Sequence, residues 1–295
     1  MVDTRQLDYF VTVAEELNFT RAAHRLFAVQ STVSAGIRSL ERELGAPLFE
    51  RTSKRVALTS AGIALLPEAR AAIEAIDRVR SAVALTKGGI RGSLRVGIFT
   101  NLDFVDLPAV FGVFHQRYPL VDLQLVASPA GSTGLAEDVR RGRVDVAFMG
   151  LPPSDLVGFR MLALARSTFV AVLPLTHPLA ARRGVSLAEL AAERWVDSPD
   201  GFGNRIAVDR AIAAAGLSRI VTAEVADLGQ MPRFVAAGIG IAVQPEITYR
   251  ASPDVTAVPL TDPGVDWMFS AISRPAPSLA VAALLELFEE RIKRT

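Results

Sequence analysis

Cysteine is absent from this chain of 295 residues, and histidine occurs only three times. Without cysteine there can be no disulfide, thiol nucleophile, iron–sulfur cluster or cysteine-ligated zinc. His24, His115 and His177 are far apart, and no pair has the spacing of a metal-binding motif. Gly238-x-Gly240 lacks the third glycine of a dinucleotide-binding fingerprint. We therefore predict that the protein is not an enzyme, has no catalytic or metal-binding residues and binds no cofactor.

Long apolar runs are missing too, although half of the residues are hydrophobic. The longest stretches, such as Val235–Val243, are far shorter than the roughly 20 residues that a membrane-spanning helix requires. Met1–Gln6 contain two charged residues and no apolar core of a signal peptide. These observations predict a cytoplasmic protein with no membrane partner. The length is sufficient for two packed domains.

A large net charge is also absent, because 32 basic and 31 acidic residues nearly cancel. The first 60 residues are balanced as well, with eight basic and seven acidic side chains. Binding of nucleic acid by this region would require its basic side chains to lie together on one face, which composition does not show.

Short helical patterns separated by turns fill the first part of the chain. Apolar residues three and four positions apart predict three helices, at residues 7–14, 21–26 and 30–40. Thr20 has the side chain of an N-cap for the second helix. Two helices joined by a short turn place a recognition helix in a DNA major groove, although an ordinary helical hairpin has the same periodicity. Residues 48–58 predict a two-stranded wing whose basic residues would suit phosphate contacts.

Four motifs of this region resemble the winged helix-turn-helix of LysR-type transcription regulators, and the match is nearly continuous. They are Arg5–Phe10, Phe19–Ala23, Leu40–Arg51 and Leu58–Gly62. The resemblance implies a DNA-binding domain at residues 1–58 whose partner is double-stranded promoter or operator DNA. The DNA-contacting residues that it implies are Thr20, Arg21, Gln30, Ser31, Thr32, Ser34, Ala35, Arg38, Arg51, Lys54 and Arg55.

The recognition helix departs from the family pattern at three positions. Val29, Ser31 and Ala35 stand where many family members have serine, proline and arginine, respectively. Fewer charged side chains would then face the groove. We therefore expect base recognition to depend on Gln30 and on small hydroxyl groups.

Residues 59–88 predict one long helix that Thr59 caps and Gly88-Gly89 ends. Its apolar stripe consists of Leu65, Leu66, Ala69, Ala72, Ile73, Ile76, Val79 and Val83. In LysR-like proteins this segment is the dimerisation helix, so the resemblance implies a homodimer or homotetramer. Packing of the stripe on its own domain is the alternative, because spacing does not identify the partner.

Strand and helix patterns alternate in residues 93–295 and predict an α/β domain with a parallel sheet. Their order resembles the LysR effector-binding domain, which is similar to two-lobed periplasmic binding proteins. The resemblance implies one lobe at 93–162 plus 267–295 and a second at 163–266, hinged by two crossing strands. The fold class is thus α/β overall, with a mostly helical winged helix-turn-helix, a linker helix and a two-lobed effector domain.

Ligands of parallel sheets bind at the carboxyl ends of the strands. Those ends, together with a helix start in the second lobe, predict an effector site at Thr100, Asn101, Ser128, Met149, Gly150, Phe202, Gly203 and Asn204. Arg205 would assist with an anionic effector at the helix N-terminus. Ordinary turn and cap chemistry is the alternative explanation for these Gly, Ser and Asn residues.

The resemblance implies a regulator whose small-molecule effector alters the geometry of promoter binding. The sequence does not decide whether RNA polymerase is a further partner. Cysteine oxidation, one mode of sensing in this family, is excluded by composition. For residues 93–295, a transport-type solute-binding protein is the alternative.

Overall fold

The computed structural model describes residues 2–51, 55–84, 89–99 and 105–292. The chain divides into an N-terminal unit, Met1–Ile90, and a C-terminal unit, Arg91–Thr295. Each unit has its own hydrophobic core, and each is described by itself.

The N-terminal unit contains three helices, a short hairpin and a long helix. Its elements are α1 (Thr4–Glu16), α2 (Phe19–Arg25), α3 (Gln30–Leu44), β1 (Phe49–Arg51), β2 (Val56–Leu58) and α4 (Ser60–Ala84). β1 and β2 pair antiparallel and form the wing. The predicted winged helix-turn-helix is therefore confirmed. Its core includes Phe10, Val33, Ile37 and Leu40, each with no exposed surface.

The predicted cap of α2 is wrong, because Asn18 rather than Thr20 occupies the N-cap position. Asn18 has an extended backbone, and its Oδ1 accepts hydrogen bonds from the amides of Thr20 and Arg21 at 2.9 and 3.0 Å. Thr20 is thereby placed inside the first turn, where its own side chain is exposed. The predicted cap of α4 is confirmed, since the Gly62 amide donates to Thr59 Oγ1 at 3.0 Å.

The first half of α4 packs on the core of its own unit. Ala69 is fully buried there, and its apolar neighbours in contact with the core are Leu65, Leu66, Ala72 and Ile73. Arg70 reinforces this packing through an ion pair with Glu15 at 2.8 Å. Val79 is 66% exposed. The first part of the apolar stripe therefore packs within the unit, whereas Val79 in its second part is exposed. Residues 85–88 lie outside the described ranges.

The C-terminal unit begins with a parallel β-sheet. Its first elements are β3 (Gly92–Ile98), α5 (Leu107–Arg117), β4 (Val121–Ala127), α6 (Gly131–Arg140) and β5 (Val146–Met149). β3 lies between β4 and β5 and pairs in parallel with both. This arrangement confirms the predicted strand–helix–strand order. It also brings the carboxyl ends of the three strands to one edge of the sheet.

The rest of the unit is built on two long strands. The remaining elements are β6 (Arg160–Pro174), α7 (Leu187–Leu190), β7 (Arg194–Asp197), α8 (Gly203–Ala214), β8 (Ile220–Glu224), α9 (Met231–Ala236), β9 (Ala242–Pro245), β10 (Val255–Pro259), β11 (Asp266–Ser273) and α10 (Leu279–Ile292). The first half of β6 pairs with β11, and its second half pairs with β9 and β10. β11 also pairs with β5. β6 therefore joins the parallel strands to the second half of the sheet.

Candidate DNA-binding surface and effector cleft

The recognition helix α3 has one buried face and one exposed face. Val33, Ile37 and Leu40 lie in the core, because they are three and four residues apart. The exposed side chains of the helix that were predicted to contact DNA are Gln30, Ser31, Thr32, Ala35 and Arg38. The core thus holds the helix so that these five side chains point outward together. α3 ends at Gly45, whose φ of +70° is a left-handed conformation that favours glycine.

Ser34 does not belong to this exposed face, so its predicted exposure is wrong. The residue is 7% exposed, because it lies beside Val33 on the inward side of the helix. Its Oγ accepts a hydrogen bond from Arg38 Nη1 at 2.8 Å. Ser34 therefore orients an arginine on the exposed face.

Three of the other predicted DNA-contacting residues are exposed outside α3. Thr20 and Arg21 are exposed in the first turn of α2, and Arg55 is exposed beside the wing. Arg21 is also held by Glu16, with 3.2 Å between Nε and Oε2. Lys54 lies outside the described residues, and only the backbone of Arg51, the last residue of β1, is described.

Two residues before α3 form a feature that the sequence analysis missed. Phe27 is 97% exposed and Val29 is 69% exposed. Phe27 has a φ of +50°, and Val29 is the N-cap of α3 without a side-chain hydrogen bond. The sequence signal that could have revealed this feature is a pair of apolar residues in the turn before a recognition helix.

The predicted effector residues of the C-terminal unit separate into two groups. Phe202, Gly203 and Asn204 line a narrow cavity, whose other lining residues are Phe99, Ser132, Leu228 and Trp267. Ser128 and Met149 do not line it, and Met149 is fully buried in β5. Thr100 and Asn101 lie outside the described residues.

Two segments meet directly beside this cavity, so that its walls are in contact. A β-carbon at Gly203 would lie 2.1 Å from the Gly150 carbonyl oxygen. The amide and hydroxyl of Thr133 donate to the Gly201 carbonyl at 3.0 and 3.1 Å. A β-carbon at Gly131 would lie 2.5 Å from the Phe202 ring. Glycine is therefore required where the two backbones touch.

Two polar side chains near the cavity, Asn204 and Arg205, already have partners within the protein. Asn204 is 3% exposed, and its Nδ2 donates to Ser198 Oγ at 2.9 Å. Arg205 Nε donates to Asp209 at 2.8 Å, and its Nη1 donates to the Ser198 carbonyl at 2.9 Å. Arg205 is therefore bound to the loop before α8 and to α8 itself, and its assistance to an effector stays a prediction.

Comparison with known families accounts for both units. Residues 4–63 match the model of the bacterial regulatory helix-turn-helix protein, lysR family. Residues 87–293 match the LysR substrate binding domain. The chain belongs to the LysR family. This LysR-type chain is therefore a DNA-binding transcription regulator with a substrate-binding domain.

Named relatives of this LysR-type regulator are similar over nearly its whole length. The HTH-type transcriptional regulator ShiR of Corynebacterium glutamicum is 34% identical over 98% of this chain and 100% of its own. The transcriptional dual regulator GltC of Bacillus subtilis is 32% identical over 96% of this chain and 94% of its own. Both relatives are regulators by name.

Solved structures show the same fold. A full-length OxyR variant from Pseudomonas aeruginosa has a TM-score of 0.78 at 24% identity and covers 99% of this LysR-type chain and 95% of its own. Full-length CbnR in complex with its target DNA has a TM-score of 0.61 at 25% identity and covers 99% of both chains.

A buried ion cluster lies close to the cavity of this LysR-type regulator. Asp197 is 1% exposed and forms an ion pair with Arg219, whose guanidinium lies 4.6 Å from the centre of the Trp195 ring. Asp209 bridges Arg219 and Arg205. Burial raises the pKa of Asp197 to about 6, and the two arginines oppose this shift without cancelling it. The cluster joins β7 to α8 and therefore supports the start of this helix, where Phe202–Asn204 lie.

Metal-binding and membrane-spanning features are both absent from the described part of this LysR-type chain. No group of three or more His, Asp or Glu side chains there is arranged to hold a metal ion. Within the same residues, no helix combines the length and the apolar character needed to cross a bilayer.

Proposed function

We propose that this LysR-type regulator binds promoter DNA as a homodimer or homotetramer in the cytoplasm and responds to a small-molecule effector. The effector binds in the cleft between two lobes. One lobe comprises residues 93–162 and 267–295, and the other comprises residues 163–266. Binding changes the geometry of promoter recognition, and with it the access of RNA polymerase. The protein acts by binding alone, without catalysis and without a cofactor.

The DNA-binding part of the proposed function is supported by the exposed face of α3. Gln30 and Arg38 offer polar contacts to base edges and phosphates, and Thr20 and Arg21 of α2 lie near the start of the same motif. Neither the wing nor α2 alone would distinguish sequences, because phosphate contacts carry no base information.

The contacts between the two lobes support the effector-dependent part. Gly150 and Gly203 touch, and Thr133 is hydrogen-bonded to Gly201, so a molecule larger than the present cavity requires these contacts to separate. A ligand then shifts the balance between a closed and an open cleft by its differential affinity for the two. The effector cannot signal through thiol oxidation, because the chain has no cysteine.

DNA binding is tested by measuring the affinity of the full chain for its own promoter region at several salt concentrations. We expect affinity to fall steeply with salt, because basic side chains displace counterions from the phosphates. Arg38→Ala is expected to weaken binding about tenfold, the loss of one charged contact. Arg117→Ala, an exposed arginine of the C-terminal unit, serves as the matched control. Affinity that is absent, or insensitive to salt, for every duplex would refute the proposal.

Coupling between the cleft and DNA is tested with Gly203→Ala. The added β-carbon overlaps the Gly150 carbonyl oxygen, so we expect the cleft to open and the footprint and bend of the promoter to change without any effector. Gly112→Ala, where a β-carbon meets no atom within 4 Å, is the control. Acrylamide quenching of tryptophan fluorescence reports the opening. An opened cleft with an unchanged footprint would contradict the coupling.

A further inference from the structure

We propose that Phe27 and Val29, named here the apolar edge, recognise the methyl groups of thymines in the major groove. The inference rests on the proposed DNA binding and adds a contact by which the protein selects its DNA sequence. It concerns positions outside the set of residues expected to contact DNA.

The apolar edge is unusual for the surface of a folded domain. Phe27 is 97% exposed and Val29 is 69% exposed, although Phe10 and Phe49 of the same unit are almost completely buried. A single exposed apolar residue needs no explanation, but two within three residues, directly before a recognition helix, form a local apolar surface.

Both residues are also of types that are unfavourable at the backbone positions they occupy. The φ of +50° at Phe27 is a left-handed conformation, which Asn and Gly adopt far more readily than a bulky aromatic residue. Val29 occupies the N-cap of α3, yet valine has no oxygen to accept a backbone hydrogen bond. Neither side chain gains burial in exchange. Departures of this kind from local preference are typical of functional sites.

The position of the apolar edge favours duplex DNA as its partner. In helix-turn-helix proteins the first residues of the recognition helix contact base edges, and Val29 immediately precedes Gln30. A protein partner bound to Phe27 would occupy the space that the duplex needs. The first turn of α3 contains no acidic residue, so nothing in that turn repels the phosphates.

Thymine is the base that presents an apolar group in the major groove, its C5 methyl. Contact with apolar side chains is the established chemistry of thymine recognition. Exposed Ala35, one helical turn beyond Ser31, adds a further small apolar side chain to the exposed face of α3. Gln30 and Arg38 supply the polar contacts for neighbouring bases. We therefore expect the operator to contain one or more thymines at fixed positions opposite the apolar edge.

The experiment replaces thymines of the promoter duplex one at a time with deoxyuridine, which removes only the methyl group. With the unmodified full chain, we expect the affinity at one or more positions in each half-site to fall about fourfold, which corresponds to about 0.8 kcal/mol for burying one such group. Phe27→Asn and Val29→Ser are expected to weaken binding to the thymine duplex and to abolish the thymine–uracil difference at those positions. Asparagine accepts the left-handed backbone, so the first variant retains the turn.

Leu17→Asn is the matched control. Leu17 is also apolar, 48% exposed and left-handed, with a φ of +46°, but it lies at the end of α1. We expect this variant to retain the full thymine–uracil difference. The salt dependence of each variant shows that its phosphate contacts are intact.

The possible failures are distinguishable. If no duplex binds with salt-sensitive affinity, the proposed DNA binding itself is wrong. If the duplex binds but every deoxyuridine substitution is neutral, or if the two variants keep the same thymine–uracil difference, the apolar edge does not recognise methyl groups. If Phe27→Asn changes the molecular mass of the assembly and leaves every DNA affinity unchanged, Phe27 serves a protein contact and the inference is overturned.

Discussion

The two units of this protein build their candidate sites in opposite ways. In the N-terminal unit the predicted DNA-binding residues lie between Thr20 and Arg55, and five of them are exposed on one helix. In the C-terminal unit the cavity residues come from separate segments between Phe99 and Trp267, and those segments meet through long-range strand pairing. A surface made by one helix follows from residue spacing. A cavity made by several segments follows from how the whole sheet is assembled.

The two units also differ in how they treat polar groups. Gln30 and Arg38 of the recognition helix are exposed to an external partner, and one guanidinium nitrogen of Arg38 is bound to Ser34. In the C-terminal unit, Asn204 and Arg205 are bound to Ser198 and Asp209 of the same unit. A polar ligand of the cavity must therefore replace hydrogen bonds that already exist. Buried polar groups that lose a partner are costly, so the second unit is expected to select ligands that restore those bonds.

The largest expected effects come from truncating one buried phenylalanine in the core of each unit. Phe10→Ala and Phe148→Ala each remove a side chain with no exposed surface and are expected to cost about 3–5 kcal/mol of unfolding free energy. Both tryptophans, Trp195 and Trp267, are in the C-terminal unit, so their fluorescence during urea unfolding reports that unit alone. Phe10→Ala should abolish DNA binding and leave the fluorescence transition unchanged, and Phe148→Ala should shift that transition. A shift of equal size in both variants would show that the units unfold together and would break the comparison.

A smaller effect concerns the buried carboxylate of Asp197. Its pKa in the folded protein, about 6, lies above the ordinary value of 3.8, so the ionised form is disfavoured by folding. Ionisation of Asp197 therefore destabilises the folded state by about 3 kcal/mol, a penalty that is absent below pH 3.8 and complete above about pH 6. Stability is therefore lost as pH rises through that window.

Asp197→Asn should remove this pH dependence. Arg219 keeps its ion pair with Asp209, so the variant is expected to be more stable than the unmodified protein at pH 7.5 and equally stable near pH 4. Urea unfolding followed by tryptophan fluorescence at several pH values measures the difference. A variant that is less stable at pH 7.5 would mean that the ion pair with Arg219 outweighs the cost of burial.

The smallest effect sharpens the contrast between stability and recognition within the N-terminal unit. Val29→Ser supplies the missing N-cap oxygen of α3 and is expected to stabilise this unit by about 1 kcal/mol. Circular dichroism during thermal unfolding measures the gain. Ser60→Ala, an exposed serine at the start of α4 whose helix Thr59 caps, is the control and should change stability little. Loss of stability in Val29→Ser would show that the valine is held by packing.

The sequence predicted the N-terminal unit more completely than the C-terminal one. The three helices, the wing and the cap at Thr59 follow from neighbouring residues, because helix periodicity and capping act over three or four positions. The two wrong predictions in this unit, the cap of α2 and the exposure of Ser34, also concern neighbouring residues. Asn18 competes successfully with Thr20 for the cap, and the rotation of α3 places Ser34 on the buried side of the helix.

In the C-terminal unit the strand order was predictable, and the cavity was not. Phe202–Asn204 were found because a loop before a helix carries a recognisable pattern, whereas Trp267 and Leu228 lie in elements with no local sign of a site. Likewise, the direct contact of Gly150 with Gly203 depends on two backbones that are remote in sequence.

The sequence by itself determined the family, the order of the elements and most of the helix face that we propose to bind DNA, because each follows from short-range spacing and motif. Tertiary structure alone decided which residues enclose the cavity and which polar groups are already paired. It also decided that Phe27 and Val29 stand exposed beside the recognition helix. Burial and contact between distant segments are properties of the packed chain, and no local pattern encodes them.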